Sequence, residues 1–132
     1  ESFGSIVAQV AEVSLEGGKP RVHRVICAID CGTVVNPDTV KQQMQSSVVF
    51  ALTAALYGKV DIVDGAVQQT NFPNYPMVKL AQSPQVDVHI VPSQRAPAGV
   101  GEPGVPPLAP AVANALFSLT QKRSRSLPLG VV

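Results

Sequence analysis

Long apolar stretches separated by turn residues organise the first part of the chain. Residues 3–15 are rich in Val, Ile and Ala with few charges, a pattern typical of a strand covered on both faces. A turn signal at residues 16–20 follows, and residues 21–30 then resume a β-branched pattern. The sequence therefore begins with a predicted long β-hairpin.

Two later segments carry helical patterns. Asn36 is a candidate N-cap with Pro37 at the first helical position, and apolar residues then recur on one stripe to about Tyr57. Small residues in the second half of this segment would let another backbone pack very close. Residues 108–121 are apolar nearly all round, which predicts a second helix that is buried.

Shorter β signals complete the predicted fold. Asp64-Gly65 separates two short apolar runs and predicts a second hairpin, while residues 86–91 alternate as a further strand. The elements together predict an α+β fold, in which mixed or antiparallel hairpins pack with two helices. The length of 132 residues predicts one domain spanning 1–132.

The composition argues against several function classes. Charged residues make up 14% of the chain, below the usual ~25%, so some apolar surface is expected to meet another protein. A net charge of +1 gives no electrostatic basis for nucleic-acid binding. No apolar run approaches the ~18–20 residues of a membrane span. The opening at Glu1 suggests a fragment, a processed chain or a domain, and leaves a cytoplasmic or periplasmic location in a bacterium open.

Neither cysteine belongs to a metal-binding pattern. Cys27 and Cys31 lie on one face of a predicted strand but ~13 Å apart, too far for a disulfide within a straight strand. No set of Cys and His residues has zinc-site spacing, so no protein metal ligands are predicted.

The candidate catalytic group is Glu102, within a segment of glycines and prolines at residues 98–107. Glycine permits close backbone approaches and proline fixes φ, so this loop is predicted to be tight and stiff. A carboxylate on a rigid loop just before a helix is typical of a positioned general base. The loop pattern alone is equally compatible with a corner that happens to carry an acid.

Five runs of residues resemble the closing segment of the molybdopterin-binding large subunit of the xanthine oxidase family, particularly the isoquinoline 1-oxidoreductase beta-subunit and aldehyde-oxidising type. They are residues 99–115, 27–38, 43–44, 54–58 and 69–72. The resemblance implies a molybdenum hydroxylase that carries molybdenum on a pterin, usually the cytosine dinucleotide form in bacteria. It also implies attack by a metal-bound hydroxide on an aldehyde or N-heteroaromatic carbon, with hydride passing to a sulfido ligand.

The resemblance also assigns site residues. Glu102 matches the family's base, and Gln43 matches a glutamine that contacts the pterin and the molybdenum ligands. Ser46 and Ser47 stand where many relatives have glycines, and are expected to allow close approach of the cofactor. Gly101 is expected to let the backbone reach the molybdenum ligands.

The resemblance covers only part of a longer subunit. It implies that the remainder of the large subunit and an iron–sulfur small subunit are partners, with the iron–sulfur clusters on the latter. The chain alone is therefore expected to be inactive. The alternative from a different class is a non-catalytic structural or interaction domain that keeps the fold without the cofactor, which the low charge content and the two serines favour.

Overall fold

The computed structural model describes residues 1–130, so the last two residues of the predicted domain lie outside the described part. The helices and strands are, in chain order, β1 (Ile6–Glu16), β2 (Lys19–Asp30), α1 (Pro37–Leu56), β3 (Ile62–Val63), β4 (Ala66–Val67), β5 (Gln85–Ile90) and α2 (Leu108–Thr120). A three-stranded sheet has the order β1-β2-β5, with β1 antiparallel and β5 parallel to β2. The predicted α+β fold is confirmed.

One face of the sheet forms the core with both helices. Register pairs Ala11 of β1 with Val25 of β2, and Val25 with Val86 of β5, so alternate side chains of all three strands share this inner face. Val48 of α1 and Val112 of α2 are fully buried in the same cluster. Cys27 and Cys31 lie in an adjacent buried cluster as free thiols, and burial raises the pKa of both.

The outer face of the sheet is not covered by either helix. On β1, Ile6 is 51% exposed and Val10 is 63% exposed, and Ala8 between them is exposed as well. Their neighbours on β2, Ile26 and Ala28, are only partly buried. The expectation that β1 is covered on both faces is wrong for this chain, because both helices pack on the inner face.

The burial of α2 also differs from the prediction. Leu108, Val112 and Leu116 form its buried stripe, but Leu119 is 54% exposed. The helix is apolar nearly all round, yet its fully buried stripe is confined to the side facing β1 and α1. Apolar composition therefore overestimated how much of this helix the chain itself can cover.

Local signals predicted the turns and caps correctly. Asn36 Oδ1 accepts hydrogen bonds from the backbone N–H groups of Asp38 and Thr39, at 3.0 and 3.2 Å, and thereby caps α1. Asp64 and Gly65 both have positive φ, as a two-residue hairpin between β3 and β4 requires. Within residues 1–130, no helix has the length and apolar character needed to cross a membrane.

Candidate active site

A cleft of about 430 Å³ separates α1 from the loop that precedes α2. The loop contributes Glu102 and Gly101, and α1 contributes Ser46 and Ser47. The full lining comprises Ser2, Phe3, Ser46, Ser47, Phe50, Gly101, Glu102, Val105 and Pro106. Four of the five residues predicted for the site therefore face one space, although they come from segments far apart in sequence.

The close approach between loop and helix depends on Gly104. A Cβ added at this position would lie 2.8 Å from Ser47 Cβ and 3.0 Å from Met44 Sδ, closer than side chains tolerate. The absence of a side chain lets the loop backbone rest directly on the second turn of α1 and the turn that follows it. Ser47 is only 4% exposed, because the loop covers it while its side chain lines the cleft.

Gln43, the fifth predicted residue, lies beside Gly101. A Cβ added at Gly101 would come within 4.0 Å of the Gln43 amide nitrogen. Gln43 is half-buried, and its amide forms no hydrogen bond with any other part of residues 1–130. The side chain is thus placed next to the cleft with both polar atoms available to a bound group.

Glu102 is exposed and is the only titratable side chain among the described residues that line the cleft. Within residues 1–130 it takes part in no ion pair. Its backbone is fixed, because its carbonyl accepts a hydrogen bond from Val105 N–H at 2.9 Å. Glu102 therefore lines, from a hydrogen-bonded main chain, a space large enough for a small molecule.

Backbone hydrogen bonds connect the loop to the sheet before Glu102. Ala98 N–H donates to Cys31 O at 2.9 Å, and Thr33 N–H donates to Arg95 O at 3.0 Å. Gly32, with φ +74°, lies against the Ala96 carbonyl so closely that an added Cβ would overlap it. The segment that leads to Glu102 is therefore attached to the end of β2.

An ion pair strengthens the same attachment. Arg95 Nη2 lies 2.9 Å from Asp30 Oδ2. The hydrogen bond from Arg95 lowers the pKa of Asp30, and the bond from Gly32 N–H to the same carboxylate lowers it further. The negative charge of Asp30 is thus committed to holding the loop and lies outside the residues that line the cleft.

The N-terminal turn supplies two contacts that the sequence did not predict. Ser5 is fully buried, and its hydroxyl donates to Gly99 O at 2.7 Å. Phe3, with φ +54°, occupies the left-handed region in a turn with Gly4 and lines the cleft. A bulky residue in this region is strained, and such strain is common at functional sites.

Gln9 is a further residue that the sequence-based reasoning missed. It lies on β1, and its Nε2 donates to Gly104 O at 2.8 Å across 95 residues of sequence. The signal was present, because Val7, Gln9 and Ala11 share the inner face of β1 and Gln9 is the polar member. A polar residue at an inward position of an apolar strand indicates a specific buried partner.

Side chains of residues 1–130 do not by themselves form a metal centre. Among the residues that the structure describes, no group of three or more His, Cys, Asp or Glu side chains could hold a metal ion. The cleft offers hydroxyl groups beside one carboxylate, with the Gln43 amide next to it, a set suited to hydrogen-bonding a polar organic ligand.

The sequence profile of the molybdopterin cofactor-binding domain matches residues 2–84. The chain belongs to this family. The matched span contains Gln43, Ser46 and Ser47 and ends before Glu102. The match confirms the resemblance to molybdopterin-binding subunits and supports molybdopterin as the cofactor of this family member.

Similar proteins extend the comparison over most of the chain. The isoquinoline 1-oxidoreductase subunit beta of Brevundimonas diminuta is 40% identical over 125 residues, which are 93% of this chain and 16% of that protein. The membrane-bound aldehyde dehydrogenase [pyrroloquinoline-quinone] of Gluconacetobacter polyoxogenes is 33% identical over 123 residues, again 93% of this chain and 16% of that protein. The chain thus spans about a sixth of the length of these relatives.

The fold has a counterpart among solved structures. Quinoline 2-oxidoreductase from Pseudomonas putida 86 superimposes with a TM-score of 0.73 at 22% identity. The superposition covers 90% of this chain and 16% of that one. At this identity the likeness establishes a shared fold, and the function must be argued from the cleft itself.

Proposed function

We propose that the chain is the C-terminal catalytic portion of the molybdopterin-binding large subunit of a molybdenum hydroxylase, with Glu102 as its general base. One observation carries the proposal: among the described residues, Glu102 is the sole titratable group lining a cleft whose opposite wall, Ser46 and Ser47, lies in the cofactor-binding segment. The substrates are aldehydes or N-heteroaromatic compounds, in keeping with the names of the similar proteins.

The residues around the cleft suit a polar cofactor. The Gln43 amide and the Ser46 and Ser47 hydroxyls would hold it by hydrogen bonds, and Gly101 leaves its backbone open to close approach. When bound, molybdopterin with its molybdenum supplies the two-electron oxidation chemistry. From the resemblance to the xanthine oxidase family, we also propose that the cofactor is the cytosine dinucleotide form and that the iron–sulfur clusters lie on a partner subunit.

Glu102 has a defined task in this proposal. It would accept the proton of the hydroxyl group that attacks the electron-poor carbon of the substrate, while the bound cofactor would supply that oxygen and take up the electron pair of the broken C–H bond. The stiff loop serves this task because it keeps the carboxylate in the reactive position, which maintains a high effective molarity of the base. The exposed position of Glu102 in this chain is then covered by the rest of the subunit.

The first test measures the cofactor and turnover on the complete enzyme and on the isolated chain. We expect the complete enzyme to contain molybdenum and pterin, to release CMP on acid hydrolysis of the cofactor, and to oxidise an aldehyde or isoquinoline. Residues 1–132 alone should hold neither metal nor activity. Stoichiometric metal with turnover on the isolated chain would contradict its predicted inactivity, and an intact enzyme without pterin would establish the non-catalytic alternative.

The outer face of the sheet is proposed as the contact with the remainder of the large subunit. Val10→Lys is expected to place an unpaired charge in that contact, and to lower the free energy of unfolding of the complete subunit by about 1–3 kcal/mol. Val63→Lys is the matched control, because Val63 is 52% exposed on the separate β3–β4 hairpin. Thermal unfolding of the two variants decides the point, and equal midpoints would exclude the outer face as that contact.

A further inference from the structure

Two side chains from the N-terminal part of the chain hold the Glu102 loop. One bonds the loop before Glu102 in the sequence and the other bonds it after Glu102. Ser5 donates to Gly99 O at 2.7 Å, ahead of Glu102. Gln9 Nε2 donates to Gly104 O at 2.8 Å, beyond it. Because Gly99 and Gly104 have no side chains, their main-chain atoms are the only groups through which these partners can act.

Packing does not explain a glutamine at position 9. Its neighbours on the inner face, Val7 and Ala11, are apolar, and Cys27 lies directly opposite in the sheet register. The contact of Gln9 Nε2 with Cys27 Sγ is long, at 3.8 Å. The remaining strong partner is the Gly104 carbonyl, which a methionine of similar size could not engage.

The orientation of the Gln9 amide has an energetic cost. With Nε2 facing Gly104 O, the Oε1 atom is buried and finds no hydrogen-bond partner among residues 1–130. Buried acceptors without partners are unfavourable, and each one in a folded protein requires a reason. Here the reason is the bond to the loop, because turning the amide over would set two acceptors against each other.

We infer that Gln9 is a positioning residue for Glu102. By fixing Gly104 against Ser47, Gln9 holds the loop in the position where Glu102 lines the cleft. The inference rests on the proposed function, since it assigns Gln9 a role through the base. It predicts an effect on the chemical step, with little effect on cofactor loading or substrate binding.

The test compares Gln9→Met with Gln69→Met in the complete enzyme. Gln69 also bonds a backbone group, the N–H of Asp61 at 2.7 Å, but lies outside the residues that line the cleft. Gln9→Met should lower kcat about 10-fold, within the up to ~10²-fold cost of a misplaced group, with KM and molybdenum content unchanged. Gln69→Met should leave kcat unchanged.

A second readout follows the loop itself. Hydrogen–deuterium exchange in the peptide spanning residues 98–107 should be faster in Gln9→Met than in the wild type or Gln69→Met. Gln9→Asn keeps the amide but shortens the side chain by one methylene, so the amide no longer reaches the Gly104 carbonyl. This variant should reproduce both the kinetic and the exchange effects, and it replaces Gln9→Met in the test if the methionine variant does not fold. Unchanged exchange in a folded Gln9 variant would overturn the inference.

A double-mutant cycle separates positioning from general structural damage. In the Glu102→Gln background, Gln9→Met should cause no further loss of kcat, because the group that it positions is gone. A further loss equal to that in the wild-type background would overturn the role of Gln9 while leaving Glu102 as the base. Near-wild-type turnover of Glu102→Gln alone would instead refute the proposed function.

Discussion

Glu102→Gln in the complete enzyme is expected to lower kcat at least ~10²-fold, a typical loss for a general base, while molybdenum and pterin content stay at wild-type levels. Glutamine keeps the size of the side chain and one acceptor oxygen, but its neutral amide cannot accept the proton of the attacking oxygen. The loop should keep its shape, because Glu102 is exposed and its fixed contact is through its own carbonyl. Steady-state kinetics with metal analysis on the same preparation provides the measurement.

The control for this substitution is Glu16→Gln. Glu16 is an exposed carboxylate at the end of β1 and is absent from the lining of the cleft, so its loss should leave kcat unchanged. Glu102→Asp adds a geometric test, because it keeps the charge and shortens the reach, and should retain part of the activity. A Glu102→Gln enzyme with wild-type kcat and full cofactor would show that the base lies elsewhere.

The features that the sequence predicted correctly are those decided by neighbouring residues. Asn36 before Pro37 specifies a helix start through its own side chain, and Asp64-Gly65 specifies a hairpin through its own backbone angles. The stripe of α1 also appears in sequence, because side chains four residues apart lie on one face. None of these features requires knowledge of what packs against the segment.

The features that escaped prediction depend on distant partners. The pattern of β1 could not show that its outer face lacks a cover, since burial is decided by elements elsewhere in the chain or in the subunit. Gln9 lies 95 residues from Gly104, so no local pattern connects them. The grouping of Ser46, Ser47, Gly101 and Glu102 was expected from the family resemblance. The contact of Gly104 with Ser47, which brings loop and helix together, joins two segments far apart in the chain and has no local signal.

Gly32→Ala is expected to produce the largest loss of stability, about 2–5 kcal/mol, since it combines left-handed strain with overpacking. An added Cβ would overlap the Ala96 carbonyl oxygen and lie 2.8 Å from its carbon, both of which are main-chain atoms that cannot rotate away. The loop must therefore move, and Glu102, which lies on the same loop, moves with it. The midpoint temperature of thermal unfolding and the kcat of the complete enzyme should both decrease.

Gly65→Ala separates the two causes of this loss. Gly65 has φ +77°, close to the +74° of Gly32, but an added Cβ meets nothing within 4 Å. Its variant should carry only the left-handed strain of about 1–2 kcal/mol, with kcat unchanged. If both alanine variants lost the same stability, and Gly32→Ala kept full turnover, the close approach at Ala96 would have no part in holding the catalytic loop. A Gly32→Ala enzyme that is less stable and also loses turnover would show that the attachment of residues 95–98 to the end of β2 places the base.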